Sequence, residues 1–422
     1  MSPSPLPPLL APLLSAEGQA LLADLRDHDP AGELALATRL RREHPAELVS
    51  AALTQARLRQ RGAAKFGARD ASRMYFTPNG IEQATRGSVA AYRADRLRAL
   101  APELRITDLC CGIGGDAIEL ARAGFAVTAV DLDPLTCEIA AENLRNLAPA
   151  APAATVTRAD VLEYDLTGSR TLFIDPARRG GRGRIFDPEA YSPPLSWAVD
   201  AVRRAGAGAV KIAPGIPHEL IPDDFEAEWI SDGGDVKEAV LWHGGTPGSV
   251  TPGSRRATLL TAGTATPPAA GAVGAPGTDG APSVRTLTGR GLPDPAVRGT
   301  GRFLYEPDGA VIRAHLVAEV AEELDGGLLD ETIAYITADE LRSTPYATAY
   351  EITDELPFGL KKLKALLRER EVGVLTVKKR GSAVEPEELR RRLKLKGPHA
   401  STVFLTRVAG APTMLLGHPA KK

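Results

Sequence analysis

Residues Ile106–Asp133, ITDLCCGIGGDAIELARAGFAVTAVDLD, decide the architecture of this 422-residue chain. A short apolar run passes through glycines into a helical DAIELARAG segment, and a second apolar run follows that ends on Asp131. Glycines at 112, 114 and 115 let backbone N–H groups approach a ligand at the positive start of a helix without Cβ atoms in the way. Gly112-Ile113-Gly114-Gly115-Asp116-Ala117 satisfies the loose G-x-G-x-x-A fingerprint of nucleotide-binding βαβ units. Asp131 stands 23 residues after Asp108, close to the interval of about 20 expected for a ribose-binding acid.

The same alternation continues downstream. PLTCEIAAENLRNL reads as a helix, and TVTRADVLEY, TLFIDPA, GAVKIAP, EAVLWHG and RRATLL read as apolar runs at strand ends. This predicts a doubly wound α/β sheet. Upstream, Ser15 to Ala99 reads as helical, with Leu21, Leu22, Leu25, Leu34, Leu36 and Leu40 at helical spacing. Residues Ala262 to Pro282 are almost entirely Ala, Gly, Thr and Pro, a composition that cannot offset its own ordering entropy and so predicts a flexible linker. Order resumes near Arg302, where Pro307-Asp308-Gly309 reads as a turn before a helix. A second α/β unit follows, with LKKLKALLRER and PEELRRRLKL as helices and VGVLTVKKRG and STVFLTRV as strands. The expected organisation is a helical N-terminal domain (1–99), a sheet domain (100–261), a linker (262–284) and a C-terminal α/β domain (285–422).

Composition narrows the function classes. Hydrophobic residues make up 43% and charged residues 25%, an ordinary globular mix. With 51 Lys+Arg against 53 Asp+Glu the net charge is −2, which excludes a wholly basic nucleic-acid coat but not a local basic face. Three cysteines, Cys110, Cys111 and Cys137, cannot build a disulfide framework, and seven scattered histidines without CxxC or HExxH spacing predict no metal site. The apolar start MSPSPLPPLLAPLL has no basic leader, and no run reaches the roughly 18 apolar residues of a membrane span. A cytoplasmic protein without membrane contact is expected.

Two adenosine-type cofactors suit the glycine loop, the nicotinamide dinucleotide and S-adenosylmethionine, since both place a ribose diol against an acid. Asp108 ahead of the glycines repels a pyrophosphate but tolerates a sulfonium cofactor with its amino group. Asp160, after the third strand, is placed to reach an adenine amino group.

The segment from about Ile106 to Trp197, carried by DLCCGIGGDAIELARAGFAVTAVDLDP, resembles the class I S-adenosylmethionine-dependent methyltransferases, with their Rossmann-like doubly wound sheet. It looks closest to the RNA-directed group that includes the trimethylguanosine synthase and guanine-N2 methyltransferase relatives. Arg302 to about Leu416, carried by LYEPDGAVIRA and LTVKKRG, resembles the THUMP-like module appended to bacterial enzymes of this kind. KFGARDASRMYFTPNGIEQAT is similar to their N-terminal part. The resemblance implies S-adenosylmethionine as cofactor, held by Asp108, Cys110, Gly112, Gly114, Asp131 and Asp160. It also implies a C-terminal RNA-binding domain.

Asp175-Pro176-Ala177-Arg178 ends a strand and so faces the ligand crevice. The resembling enzymes carry Asp/Asn/Ser-Pro-Pro-aromatic there, which makes Asp175 and Pro176 the candidate catalytic residues. Asp175 can accept a hydrogen bond from an amine and offset the charge that develops on it. Ala177 and Arg178 depart from that motif and speak against cap-like substrates. Phe186 or Tyr191 is then a candidate stacking face, or a packing residue under the loop. Arg178, Arg179, Arg182 and Arg184, interleaved with glycines, suit phosphate contact beside the site. Phe76 and Thr77 are candidate pocket residues, and Asn79-Gly80-Ile81-Glu82 reads as a helix cap with Glu82 at the third helical position.

Between Lys361 and Lys396 thirteen basic residues face five acids, a net charge of +8. Leu360, Leu363, Leu366 and Leu367 make an apolar stripe that leaves the lysines outward, the footprint of a nucleic-acid binder in which Lys378, Lys379 and Arg380 are candidate phosphate contacts. The reading that follows is a methyltransferase acting on a base in structured RNA, rRNA or tRNA. The alternatives are a methyltransferase of a small molecule or protein, and a non-catalytic RNA-binding protein retaining the cofactor fold.

Overall fold

The computed structural model describes residues 10–151, 153–177, 179–180, 183–184, 187–261 and 283–420. Of the predicted linker, 262–284, residues 262–282 lie outside them, whereas Ser283 and Val284 belong to a strand, Ser283–Thr288, which corrects the linker's end. The chain divides into two compact units, Met1–Ala227 with Glu238–Gly253, and Glu228–Lys237 with Ser254–Lys422.

The first unit opens with helices α1 (Ala11–Leu14), α2 (Ala16–Asp24), α3 (Glu33–Leu40), α4 (Ala46–Ala71), α5 (Pro78–Gln83) and α6 (Gly87–Leu100). Ser15 caps α2 by accepting from the Gly18 N–H at 3.0 Å. Leu21, Leu22, Leu25 and Leu40 are buried as their spacing predicts, but Leu34 is 83% exposed and belongs to no core face. Helix α4 kinks at Gly67, whose backbone is not helical.

The sheet of this unit contains β1 (Arg105–Leu109), β2 (Ala126–Asp131), β3 (Ala154–Arg158), β4 (Thr171–Ile174), the two-residue strands β5 (Arg179–Gly180) and β6 (Gly183–Arg184) as a separate pair, and β7 (Ala207–Ile212). Helices α7 (Gly115–Arg122), α8 (Pro134–Leu147) and α9 (Leu195–Ala205) connect them. Strands run β7-β4-β1-β2-β3, all parallel. Every residue of β4 and β7 is buried, as expected for parallel strands covered on both faces. Beyond β7 lies β9 (Asp235–Gly244), antiparallel to it from Ala239 to Gly244. The chain leaves β1 for β2 and β3, then returns to place β4 on the other side of β1. That reversal opens a crevice at the carboxyl ends of β1 and β4, where ligands of such sheets bind.

In the second unit β8 (Glu226–Asp232), β10 (Arg255–Thr261) and β11 (Ser283–Thr288) lie side by side. A second sheet holds β12 (Phe303–Pro307), β13 (Gly327–Asp330), β14 (Ile333–Ala338), β15 (Ala347–Pro357), β16 (Val372–Lys379), β17 (His399–Val408) and β18 (Ala411–Pro419), in the order β13-β14-β12-β15-β18-β17-β16. Helices α10 (Gly309–Arg313), α11 (Val317–Glu323), α12 (Leu360–Glu369) and α13 (Pro386–Leu393) complete it. Leu363 and Leu367 of α12 and Leu389 and Leu393 of α13 are buried with Val403, Leu405 and Met414 of the sheet. Among the described residues no helix is long and apolar enough to cross a membrane.

Candidate active site

The carboxyl ends of β1, β2 and β4 open on a cavity of about 450 Å³, within the range of about 300–1,000 Å³ usual for small-molecule sites. Cys110, Gly112, Asp131, Asp175 and Pro176 line it. Gly112 has φ 56° and Gly114 φ 82°, so both turns of the loop need left-handed backbone that glycine adopts freely. Their surroundings differ. A Cβ on Gly112 would meet nothing, whereas one on Gly114 would sit 3.3 Å from Ala140 of α8.

Asp131 is fixed by backbone donors. Its Oδ2 accepts from Gly112 N–H at 2.9 Å and its Oδ1 from Asp133 N–H at 3.1 Å. A carboxylate has about four acceptor positions, so capacity remains for a diol. Asn143 of α8, fully buried, donates to the Ile113 carbonyl at 2.9 Å and to the Tyr75 carbonyl at 3.0 Å, and accepts from Tyr75 N–H at 2.7 Å. One amide thus ties the glycine loop to the segment after α4.

A buried charge network underlies the cavity. Lys211, in β7 and 4% exposed, donates to Asp175 Oδ2 at 2.5 Å and to Thr85 Oγ1 at 2.9 Å. Thr85 donates to Asp116 at 3.1 Å. Arg93, 1% exposed, pairs with both Asp116 and Glu238 and lies 4.5 Å from the Phe173 ring centre. Its pKa is raised, because the two carboxylates outweigh the burial that acts against its charge. Asp108 is wholly buried and neither of its oxygens has a hydrogen-bond partner in the structure. Burial pushes its carboxyl far above the ordinary range, and Asp116 and Asp175 push it further, with Arg93 opposing. Both effects favour the protonated form of Asp108.

Burial, reinforced by Asp131 and Asp175, likewise raises the Cys110 thiol far above its ordinary value. Cys111 is raised too, and Cys137 is pushed up to about 11. None is a thiolate at neutral pH, so the site offers no sulfur nucleophile. Among the described residues no group of three or more His, Cys, Asp or Glu is arranged to hold a metal ion.

The structure separates the residues expected here. Cys110, Gly112, Asp131, Asp175 and Pro176 reach the cavity; Asp108, Gly114 and Asp160 are not on its wall. Asp160 instead caps its own turn by accepting from Leu162 N–H at 3.0 Å. Arg178, Arg182 and Phe186 lie outside the described residues, and Arg179 is described only as backbone in β5. Tyr191 is buried and presents no stacking face. Phe76 is buried as well, whereas Thr77 lines the cavity and is the true cap of α5, accepting from Gly80 N–H at 2.9 Å; the expected cap at Asn79 is corrected accordingly.

In the second unit, Lys378 and Arg380 both pair with Glu306, and Lys379 pairs with Glu385. Their charge is shared with carboxylates rather than offered freely to solvent. Lys361, Lys362, Arg391, Lys394 and Lys396 are exposed and take part in none of the ion pairs of this unit.

Residues 347–419 match the THUMP domain-like family, and residues 8–62 match a domain of unknown function. Over 359 residues, 83% of this chain and 90% of the relative, the sequence is 33% identical to an uncharacterized S-adenosylmethionine-dependent methyltransferase found in two strains of Mycobacterium tuberculosis. The fold is similar to the crystal structure of a candidate methyltransferase from Porphyromonas gingivalis. That match has a TM-score of 0.71 and 20% identity, and covers 96% of this chain and 99% of the other.

Proposed function

We propose, from the premise that this chain belongs to the family of S-adenosylmethionine-dependent methyltransferases, that it methylates a base in structured RNA. The cavity fits the family's cofactor: it combines a left-handed glycine loop with a carboxylate at Asp131 anchored by backbone donors, and behind its wall lies the buried acid Asp108, whose oxygens have no partner among the described residues. In our reading Cys110, Gly112 and Gly114 shape the methionyl end, Asp108 supports the loop from behind the wall, and Asp131 takes the ribose. Asp160 serves the adenine. When bound, S-adenosylmethionine supplies an electrophilic methyl group.

The chain's own task is placement. Holding a nucleophilic nitrogen in line at near-attack distance is worth roughly 7–11 kcal/mol of barrier. Asp175 has one oxygen engaged by Lys211, and its other oxygen takes no partner from the described residues. That second oxygen accepts the N–H of the incoming base and offsets the positive charge that grows on nitrogen. Lys211 keeps the carboxylate oriented. Pro176 forms the adjoining wall, and Arg178, Arg179 and Arg182 take phosphates beside it.

The observation that carries the RNA reading is the net charge of +8 over residues 361–396, inside the THUMP domain-like match. The lysines and arginines of α12 and α13 supply its phosphate contacts, with Lys378, Lys379 and Arg380 as the partly neutralised centre of the patch. Nucleoside mass spectrometry of total RNA from cells with and without the gene tests this reading. One methylated nucleoside should vanish and return with the wild-type chain but not with Asp175→Ala, while Asp175→Ala keeps its affinity for S-adenosylmethionine within a few fold. An unchanged nucleoside profile would end the RNA assignment, and full rescue by Asp175→Ala would end the role of Asp175.

A further inference from the structure

A second cleft, of about 840 Å³, lies in the first unit among α2, α4 and the segment that follows α4. Its chemistry is lopsided. Arg26, Arg59, Arg69 and Arg73 line it, against a single carboxylate, Asp27. Arg93, Arg96, Arg122 and Arg203 of this unit each meet one or more carboxylates; the cleft arginines have no such partner among the described residues. Arg26 and Arg69 are exposed and form no ion pair with the described residues.

Arg59, half-buried, and Arg73, exposed, are held in place by neutral groups. Arg59 donates from Nε to the Met74 carbonyl at 2.8 Å, and its guanidinium lies 5.1 Å from the centre of the Tyr75 ring. Arg73 donates to the Asn146 carbonyl near the end of α8. Neither arrangement neutralises charge. Burial lowers the pKa of Arg59; Tyr75 opposes that effect, and the neighbouring charge of Arg26 adds to it. Like charges gathered in a concave, partly desolvated setting repel one another unless an anion joins them.

We propose that this cleft is an anion site that takes phosphate groups through Arg26, Arg59, Arg69 and Arg73. The planar guanidinium fork matches phosphate oxygens two at a time, and the volume admits more than one phosphate. The Tyr75 ring supplies the apolar floor. Half of the lining, Gln19 to Gln60, falls within the matched domain of unknown function, so the site gives that domain a task. Phosphates can come from an RNA backbone or from a small phosphorylated ligand. The proposal stands independently of whether RNA is the methyl acceptor.

The test uses the full chain, with Arg26→Gln/Arg69→Gln as the variant and Arg41→Gln/Arg42→Gln, two exposed arginines outside the cleft, as the charge-matched control. Two probes are used: an end-labelled RNA hairpin followed by anisotropy across a salt series, and inorganic pyrophosphate followed by thermal shift. A thermal shift with S-adenosylmethionine, equal in all three proteins, establishes that the variants fold.

If RNA is the source, the variant binds the hairpin about tenfold more weakly than the control, with a salt slope shallower by about 1–2 as two phosphate contacts are lost. If a small ligand is the source, hairpin binding matches the control while pyrophosphate stabilises the wild type and control but not the variant. The proposal is overturned if variant and control respond alike to both probes. A failed nucleoside assay would leave these readouts untouched, so the two readings fail separately.

Discussion

Asp108→Asn probes whether a protonated acid is buried behind the wall of the candidate cavity. The carboxyl is wholly buried with no partner for either oxygen, and burial raises its pKa far above 3.8, with Asp116 and Asp175 adding to the shift. In the unfolded chain the same group ionises near its ordinary value. Between that value and the raised native one, the folded protein holds a proton that the unfolded chain has released. Stability therefore falls as pH rises through this window, by about 1.4 kcal/mol per pH unit for one proton. Asparagine has nearly the same shape and no proton to lose, so the variant should lack that contribution. Urea unfolding across a pH series that starts near the ordinary carboxylate value and rises from there, followed by tryptophan fluorescence, reads the slope. The wild type should lose stability more steeply than the variant, by up to about 1.4 kcal/mol per pH unit. Identical slopes would mean that Asp108 ionises alike in both states, and the account of a neutral buried acid would fail.

Two further outcomes follow from the charge placement. Arg93→Met strands Glu238 and Asp116 in the interior and should cost about 3–5 kcal/mol of stability, with Glu238→Gln in the same chain restoring part of it; chemical denaturation checks both, and an additive double variant would contradict the pairing. Lys361→Ala/Lys362→Ala/Arg391→Ala removes three exposed cations of the C-terminal sheet unit and should weaken RNA binding at low salt and flatten its salt slope by about 2–3; an unchanged slope would mark that face as merely solvated.

Much of the fold was legible because its signals are local. The glycine loop, helix 134–147 and the strands ending at Asp131 and Asp175 are each read from a few neighbouring residues, and the chain folds as they predict. The missed features depend on partners distant in sequence. Lys211 sits inside the apolar run GAVKIAP, and its role appears only when Asp175 and Thr85 converge on it. Arg93 reads as one more charge on a solvated helix until Glu238 arrives, 145 residues later. Glu306 meets Lys378 across 72 residues, so the basic run could be counted from sequence but its internal neutralisation could not. Leu34 fits the helical period and is nonetheless exposed, because periodicity identifies a face but not whether anything packs against it.

The segment Thr77–Thr85 lines the candidate cavity together with the glycine loop, so the N-terminal helices are better understood as part of its wall than as an appended domain. Gly80 at the start of α5 lies so close to the glycine loop that a Cβ there would come within 2.4 Å of Ile113. Thr85, between α5 and α6, relays between Lys211 and Asp116, and Arg93 of α6 closes the same network. Asn143 joins Tyr75 to Ile113. These contacts join the helical segment to the strands and helices that follow it, and the polar ones among them, Thr85–Lys211, Thr85–Asp116, Arg93–Asp116 and Tyr75–Asn143, would be left unpaired by separation. The orientation of the Asp175 carboxylate is thus set by Lys211, thirty-six positions after it, which is itself held by Thr85, ninety positions before it.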